Sequence, residues 1–575
     1  MINKTIADIF NEIAAMLSLD ERPTARFEVR AYQKAALTIG MMQEPIEDIY
    51  KKGGVKALME LPGVGKSIAS HIEEYVRTGR IKKYDELKKK YPIDMAGLTS
   101  ISGMGAKRAM ILYKKLGIKN IDDLKKALAR HEIRAIEGFS EKSEALIAKG
   151  LAFRETSKGR MLISDALPVG EGIVKALMDS GLVEKVMIAG SARRMRDAVG
   201  DLDILAISKE GPKVMDFFTK LPAVSGIVAK GPTKSTVNLD IGISCDLRVL
   251  EPESFGAAVQ YFTGSKDHNI QTRTIAVKKG YKLNEYGLFD KKDRNIGGVE
   301  EASIYEKLGM QWMPPEMREA RGEVELALQH RIPKLVELNN IKGDLHSHTK
   351  ATDGDNTLEE MASAAMELGY EYIANTDHTK SLYVTKGMND KQFDAHFRKI
   401  DNYNDSLKGK FRVLKGAEIE ILKDGSLDLA PHTLEKMDCL VASVHSNFNM
   451  PKKEMTDRVI KALDSGYVHI LGHPTGRVIG VRSAYEIDLE KVAEAAERNR
   501  VALEVNCLQR FDLNDTNILL TSKYKVKYAV NTDAHQTGHF DMMRYGVGTA
   551  RRGWLTKERV INALPLGKLL KELHR

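Results

Sequence analysis

Apolar residues recur three and four apart through MINKTIADIFNEIAAML (1–17), the spacing of an amphipathic helix. Farther on the punctuation repeats: LPGVGKSIASHI (61–72), then ISGMGAKRAMIL (101–112), with a weaker third copy, IEGFSEKSEALI (136–147). Each runs apolar residue, glycine turn, then a helix with small or apolar residues at its packing positions. After about residue 160 the period shortens to two. VEKVMIAGSARRMRDAVGDLDILAIS (183–208) reads strand, turn, basic helix start, strand, and NLDIGISCDLRVLEP (238–252) alternates as a strand does. The stretch EVELALQHRIPKLVE is helical and charged, a packed connector and not a Gly/Ser tether. From 341 onward, short strand-like runs alternate with helices in seven strand-then-loop units.

With 575 residues the chain is too long for one hydrophobic core, so several domains are expected. No apolar run reaches the roughly 20 residues of a membrane span, and the N-terminus lacks the pattern of a signal peptide. Cys245, Cys439 and Cys507 are few, scattered and set in apolar or strand-like stretches, which suits a reducing cytoplasm and not a disulfide scaffold. Charge is uneven. Residues 1–150 hold 27 Lys/Arg against 20 Asp/Glu, so +7 of the net +9 falls in the first quarter and suggests a polyanion partner.

In the first two hairpins a G-x-G turn, Gly63 and Gly65, then Gly103 and Gly105, lets backbone N–H groups approach an anion at a helix start, with Lys66, and Lys107 with Arg108, close behind. That chemistry grips a phosphate backbone without reading bases. In GDLD, Asp201 and Asp203 are two apart, so on a strand both carboxylates share a face and repel unless a cation or proton sits between them. Asp246 offers a third arm from a neighbouring strand. Three such carboxylates can hold two divalent ions, one activating a hydroxyl and one binding a triphosphate. Gly190 and Ser191 precede a turn, and Arg193, Arg194 and Arg196 supply cations.

The helical hairpins resemble helix-hairpin-helix motifs of DNA repair proteins. GSARRM…GDLD, CDLRV and YFTGSKDHNIQTR together resemble the nucleotidyltransferase core of the DNA polymerase X family across residues 1–320, and WMPPEMREARGEVE (312–325) is similar to its thumb-closing segment. The resemblance implies that Asp201, Asp203 and Asp246 coordinate Mg²⁺ or Mn²⁺, with Asp246 on the base side of the primer 3′-hydroxyl. It implies Ser191 and Arg194 on the triphosphate, Tyr261 and Phe262 of the YFTG turn (closing at Gly264) against the sugar, Asn269 at the base edge and Arg273 on the template strand. His71 stands where the polymerase-beta branch has a Schiff-base lysine, and a neutral imidazole forms no imine. Lys66 and Lys34 remain open as substitutes. Lys266 replaces an acid beside the nucleotide.

Downstream, polar ligand types recur at strand ends. IKGDLHSHT gives Asp344, His346 and His348, followed by Asp353; EYIANTDHT gives Asp377 and His378; FRVLKGAEIEIL gives Glu418 and Glu420. MDCLVASVHSNF ends in His445, YVHILGHPTGR gives His473, and YAVNTDAHQ closes with Asp533 and His535. In a barrel-like α/β fold these lie on one rim. Imidazoles and carboxylates without thiolates favour Zn²⁺, Mn²⁺ or Fe²⁺. The segment resembles the PHP (polymerase and histidinol phosphatase) domain. His346, His348, Asp353, His378, Glu418, His445, His473, Asp533 and His535 match all nine of its ligands, implying up to three divalent ions and phosphoester hydrolysis, with Arg477 and Arg510 toward the phosphate.

The expectation is therefore a multidomain α+β chain: an N-terminal lyase-like helical domain (1–85), fingers (86–150), nucleotidyltransferase palm (151–255), thumb (256–320), connector (321–340) and a distorted (β/α)7 barrel PHP domain (341–575). It would fill short gaps in nicked or gapped DNA with a 5′-phosphate using dNTPs, as a cytoplasmic monomer without membrane contact. A 3′–5′ exonuclease and abasic-site processing would sit in the PHP domain. Three other readings stay open: hydrolysis of 3′ ends as the main activity with weak polymerisation, a non-catalytic DNA-end scaffold, and a small-molecule phosphatase whose activity would not depend on residues 1–320.

Overall fold

The computed structural model describes residues 2–573 apart from 21, 23, 43–44, 62, 100, 102–103, 142, 146, 149–150, 152–158 and 383–384. The chain divides into two units, Met1–Lys158 with Gly480–Ser483, and Gly159–Ile479 with Ala484–Arg575.

In the first unit the apolar stripe of the opening helix, Ile6, Phe10 and Ile13, packs with Tyr32, Ile39, Ile68 and Ile72. A second cluster gathers Leu98, Met104, Leu112 and Leu124. The repeated punctuation becomes repeated geometry. Helix α1 (Lys66–Thr78) starts after Gly65 at φ −84, ψ 174 and ends on Gly79 at φ 71, ψ 11. Helix α2 (Ala106–Leu116) starts after Gly105 at φ −85, ψ 166 and ends on Gly117 at φ 71, ψ 16. Gly103 and most of the turn before it lie outside the described residues, as does part of the third copy.

The second unit opens on a five-stranded sheet of β1 (Lys185–Ile188), β2 (Asp201–Ile207), β3 (Val224–Lys230), β4 (Lys234–Leu239) and β5 (Ser244–Leu250), in the order β1-β2-β5-β4-β3. Only β2 and β5 pair in parallel; the other neighbours are antiparallel. Leu202, Ile204, Val237, Cys245 and Leu247 pack with Met215 and Phe218, and two distant rings, Phe511 and Tyr545, complete this core. Helices α3 (Phe255–Thr263) and α4 (Lys266–Lys278) follow, with a small antiparallel sheet of Lys282–Asn284, Gly287–Phe289 and Asn295–Gly297. Buried His268 lies between Glu323 (2.8 Å) and the Tyr305 hydroxyl (3.0 Å).

The seven strand-then-loop units form a parallel sheet in chain order: β6 (Gly343–Ser347), β7 (Tyr372–Asn375), β8 (Arg412–Glu420), β9 (Cys439–Ser443), β10 (Ile470–Leu471), β11 (Ala502–Asn506) and β12 (Tyr528–Asn531). Strands β6, β7, β9, β11 and β12 are buried at every residue, the signature of parallel strands covered on both faces. The ends nearly meet. Ser347 bridges Ala534, His348 N–H donates to the Ala534 carbonyl (2.8 Å), and Asp344 accepts from the Thr532 N–H (3.1 Å) and hydroxyl (2.5 Å). The expected distorted seven-stranded barrel is the observed one. Among the described residues no helix is long and apolar enough to cross a membrane.

Candidate active sites

Parallel pairing of β2 with β5 sets Asp203 opposite Asp246, and Asp201 opposite Ser244, so three carboxylates collect at one end of the sheet. Gly190 makes room for them: at φ 63 it leaves the backbone so close that a Cβ would lie 2.3 Å from the Asp203 carboxylate. Burial, with Asp201 and Asp246 nearby, pushes Asp203 up to about 6. The elevated value records unmet demand for positive charge at this point. Asp246 is better provided. Thr236 Oγ1 donates to it (2.6 Å), Lys234 Nζ lies 3.0 Å away and Arg248 Nη2 3.4 Å. Asp246 thus leans toward its own cations, and among the described residues the groups whose ligand atoms lie within 4.8 Å of one another are at the rim and not in the palm. The donor set of the palm carboxylates nonetheless fits hard divalent ions, which take carboxylate oxygen.

Around this cluster the polar side chains are largely engaged. Arg193 forks onto Glu301 (2.8 and 2.9 Å), which Arg318 also holds (2.6 Å). Arg194 is buried, with Nε on Glu319 (3.0 Å) and Nη1 on the Thr263 carbonyl (2.5 Å). Asn269 spans Gln260 Nε2 (2.8 Å) and the Tyr261 carbonyl (2.7 Å), so here it holds the tyrosine's backbone. Tyr261 meets Phe262 edge to face at 5.1 Å, and Arg248 lies over the Phe262 ring at 4.4 Å. Ser191 sits on the turn after Gly190, Gly264 caps α3, and Arg273 is exposed on α4.

In the first unit, Gly65, Lys66, Gly105 and Lys107 are exposed at the starts of α1 and α2, and among the described residues nothing lies within 4 Å of a Cβ at either glycine. Gly63, at φ 81, packs against the Lys34 side chain. The half-buried His71 shares a 2.9 Å hydrogen bond with the Tyr32 hydroxyl, and burial, with Lys83 nearby, lowers its pKa.

The barrel rim is denser. His348, Asp353, His378 and His535 form one group, His346, His348, Glu418 and Asp533 a second, and His378, Glu418 and His445 a third, each with ligand atoms within 4.8 Å of one another. His473 joins through Nε2, 2.8 Å from Glu418. Glu418, at the end of β8, therefore faces five imidazoles: His473, His378 and His445 (both 3.1 Å), His346 (3.3 Å) and His348 (3.6 Å). Burial works to raise its carboxyl, but His445, His346 and His378 outweigh it and hold Glu418 well below the ordinary range. His473 is lowered too, to about 4, by burial and by Arg510, which favours its neutral form. The nitrogens His346 Nε2, His348 Nδ1 and His473 Nδ1 are buried without a hydrogen-bond partner among the described residues. Orphaned imidazole nitrogens beside carboxylates suit a borderline divalent ion.

Two further carboxylates orient this set: Glu504, which sequence reasoning passed over, and Glu420, which it named only as a strand-end acid. Glu504, in the middle of β11, sits 2.7 Å from His346 Nδ1 and accepts from the His473 N–H (2.7 Å). Glu420 sits 2.9 Å from His445 Nδ1. The available signal was a glutamate inside an apolar parallel strand, tolerated there only with a partner. Asp344 and Asp377 turn away from the rim and bind Thr532, and Thr349 with Thr352, respectively. Arg477, expected toward a phosphate, instead pairs with Asp197 (2.9 Å) and the Phe511 carbonyl (2.5 Å). Arg510 Nη1 is buried without a partner among the described residues, and Nε lies 3.8 Å from Asp533.

Family models match four stretches: a helix-hairpin-helix domain at 1–81, a SAM-like helix-hairpin-helix tandem at 96–152, the DNA polymerase beta thumb at 258–319 and the PHP domain at 344–507. The DNA polymerase/3′-5′ exonuclease PolX of Bacillus subtilis is 35% identical over 571 residues, 98% of either chain. This chain belongs to the DNA polymerase X family, PHP-bearing branch. The DNA polymerase lambda of Arabidopsis thaliana is 22% identical over 370 residues, 55% of this chain and 62% of its own. A probable phosphatase of Thermoanaerobacter sp. is 29% identical over 249 residues, 40% of this chain and 95% of its own. Polymerase X and PHP domains together imply DNA binding and divalent metal use.

Proposed function

We propose that this polymerase X chain fills short gaps in DNA during repair and carries a 3′–5′ exonuclease in its PHP domain. The observation that carries the reading is the presence of both constellations, three palm carboxylates and nine rim ligands, in one chain that aligns end to end with a polymerase/exonuclease. Asp201, Asp203 and Asp246 would hold Mg²⁺ or Mn²⁺. Ions bound there would lower the pKa of the primer hydroxyl and neutralise the triphosphate. Asp246 accepts the hydroxyl proton, kept in place by Thr236. Ser191, Arg194, Tyr261, Phe262, Gly264 and Asn269 line the nucleotide. Gly63, Gly65, Lys66, Gly103, Gly105, Lys107 and Arg273 contact DNA carrying a 5′-phosphate.

At the rim, Zn²⁺, Mn²⁺ or Fe²⁺ would be held by the nine ligands and would polarise the phosphoester for attack by water. Glu504 and Glu420 fix the tautomers of His346 and His445, and Arg510 offers its unpaired Nη1 to a phosphate oxygen. The same site would process blocked 3′ ends and abasic sites. We place the protein in the cytoplasm as a monomer, in keeping with three buried, unpaired cysteines.

A second reading, 3′-end hydrolysis with weak polymerisation, is favoured by the tighter convergence of the rim ligands compared with the palm carboxylates. Primer extension on gapped, 5′-phosphorylated DNA separates the two. Asp201→Ala should shorten primers and never extend them, and His346→Ala should extend without shortening. Extension that survives Asp201→Ala overturns the polymerase assignment; a wild type that only degrades primers under every metal and dNTP condition favours the second reading.

A further inference from the structure

Between the arginine pair and the first palm aspartate, the chain is held from outside the palm as well as from within it. Met195 adopts φ 53, a left-handed conformation costly for a residue with a side chain, so its surroundings must impose the turn. Part of that comes from the palm itself, where Met195 N–H donates to the Ala192 carbonyl (3.0 Å) and Arg196 N–H to the Ser191 carbonyl (3.1 Å), and three contacts from the PHP domain add to it. Arg552 ends helix α5 (Met543–Arg552) and is buried. Its Nη1 donates to the main-chain oxygen of Arg194 (2.8 Å) and to Glu319 Oε1 (2.9 Å), and its Nη2 to Asp515 Oδ2 (2.5 Å). One turn earlier, Gly548 leaves space for Met195, whose Cε would stand 2.7 Å from a Cβ there. Arg477, in the loop after His473, clasps Asp197 at 2.9 Å.

These contacts converge on Arg194. The Glu319 oxygen that receives Arg552 also receives Arg194 Nε (3.0 Å), and Arg194 Nη1 is fixed on the Thr263 carbonyl (2.5 Å). Among the described residues, Nη2 of Arg194 makes no hydrogen bond. Asp515, Arg552, Glu319 and Arg194 thus form an alternating chain of charges. Such buried chains add little net stability, yet the planar guanidinium forks fix direction.

We propose that Arg552 is a positioning residue of the polymerase reaction: from within the PHP domain it holds Glu319 and the Arg194 backbone so that Arg194 presents its free Nη2 edge to the triphosphate of the incoming nucleotide. The inference rests on the assignment of Arg194 to the triphosphate. Arg552 itself touches no substrate.

The test is single-nucleotide insertion by the full chain on gapped DNA, with kcat and KM for dNTP, alongside 3′-end hydrolysis. Arg552→Met should raise the dNTP KM about tenfold, with kcat changed less and 3′-end hydrolysis unchanged. Arg544→Met, which breaks the Arg544–Glu171 pair (3.0 Å), should leave the KM alone. Combined with Arg194→Lys, Arg552→Met should add no further rise, because both act through one group. If Arg194→Lys raises the KM and Arg552→Met does not, the positioning role is overturned and the triphosphate assignment stands. If Arg194→Lys leaves the KM unchanged, that assignment fails and the inference with it. Should Arg552→Met lose both activities and melt early, Arg552→Lys decides: it keeps the charge but, with a single compact ammonium, lacks the planar fork whose two nitrogens reach the Arg194 oxygen, Glu319 and Asp515. A raised KM with intact hydrolysis then supports the role, and an unchanged KM overturns it.

Discussion

Asp203 and Glu504 show how single carboxylates set the two sites. Because Asp203 is pushed up to about 6, above its unfolded value near 3.8, ionising it costs the native state stability as pH rises through that window. The penalty is absent at low pH and complete above about 6. In chelator, Asp203→Asn should therefore raise the melting temperature at pH 8, by an amount worth up to about 3 kcal/mol, and the gain should shrink at pH 5. No gain at pH 8 would count against the buried, repelled carboxylate. Glu504→Ala should weaken metal retention at the rim roughly 10–100-fold. Metal analysis after dialysis measures it, and dNTP insertion should persist. The gathering of the nine rim side chains was legible because strand-end histidines and acids recur in short motifs. Glu504 was not, since a lone glutamate in VALEVNC shows its purpose only when His346 is seen beside it.

Among elements, the helical hairpins separate two uses of glycine. Gly79 and Gly117 end α1 and α2 in the left-handed region, where a Cβ is strained; alanine at either should cost about 1 kcal/mol in denaturant melts. Gly65 and Gly105 have ordinary φ values near −85 and open space around a Cβ. The fold does not require glycine there. Gly105→Val should accordingly leave stability nearly unchanged and weaken binding to gapped DNA several-fold, measured by fluorescence anisotropy. Equal loss of stability and binding would mean the position serves packing instead. The sequence repeat announced both hairpins, and the alternating strands announced the β2–β5 pair. What it withheld was occupancy: nothing in GSARRM or SKDHN says that Arg194 and Asn269 already have protein partners.

At the scale of the second unit, palm and barrel share a core. Phe511 and Tyr545 belong to the palm cluster, and Arg544, Arg551 and Arg552 reach Glu171, Glu316 and Glu319. A chain cut after residue 340 should thus melt well below the full protein and expose apolar palm surface to a hydrophobic dye. An unchanged melt would make the shared core incidental. These partners lie hundreds of residues apart and carry no motif, so only the folded chain reveals them. One consequence reaches into heredity. With two aromatic rings of the hydrolase completing the interior of the synthetase, a gene that sheds the 3′ part coding for the barrel loses more than an exonuclease. Its descendants must rebuild the exposed flank of the palm in the same lineage, which makes the fusion far easier to acquire than to undo.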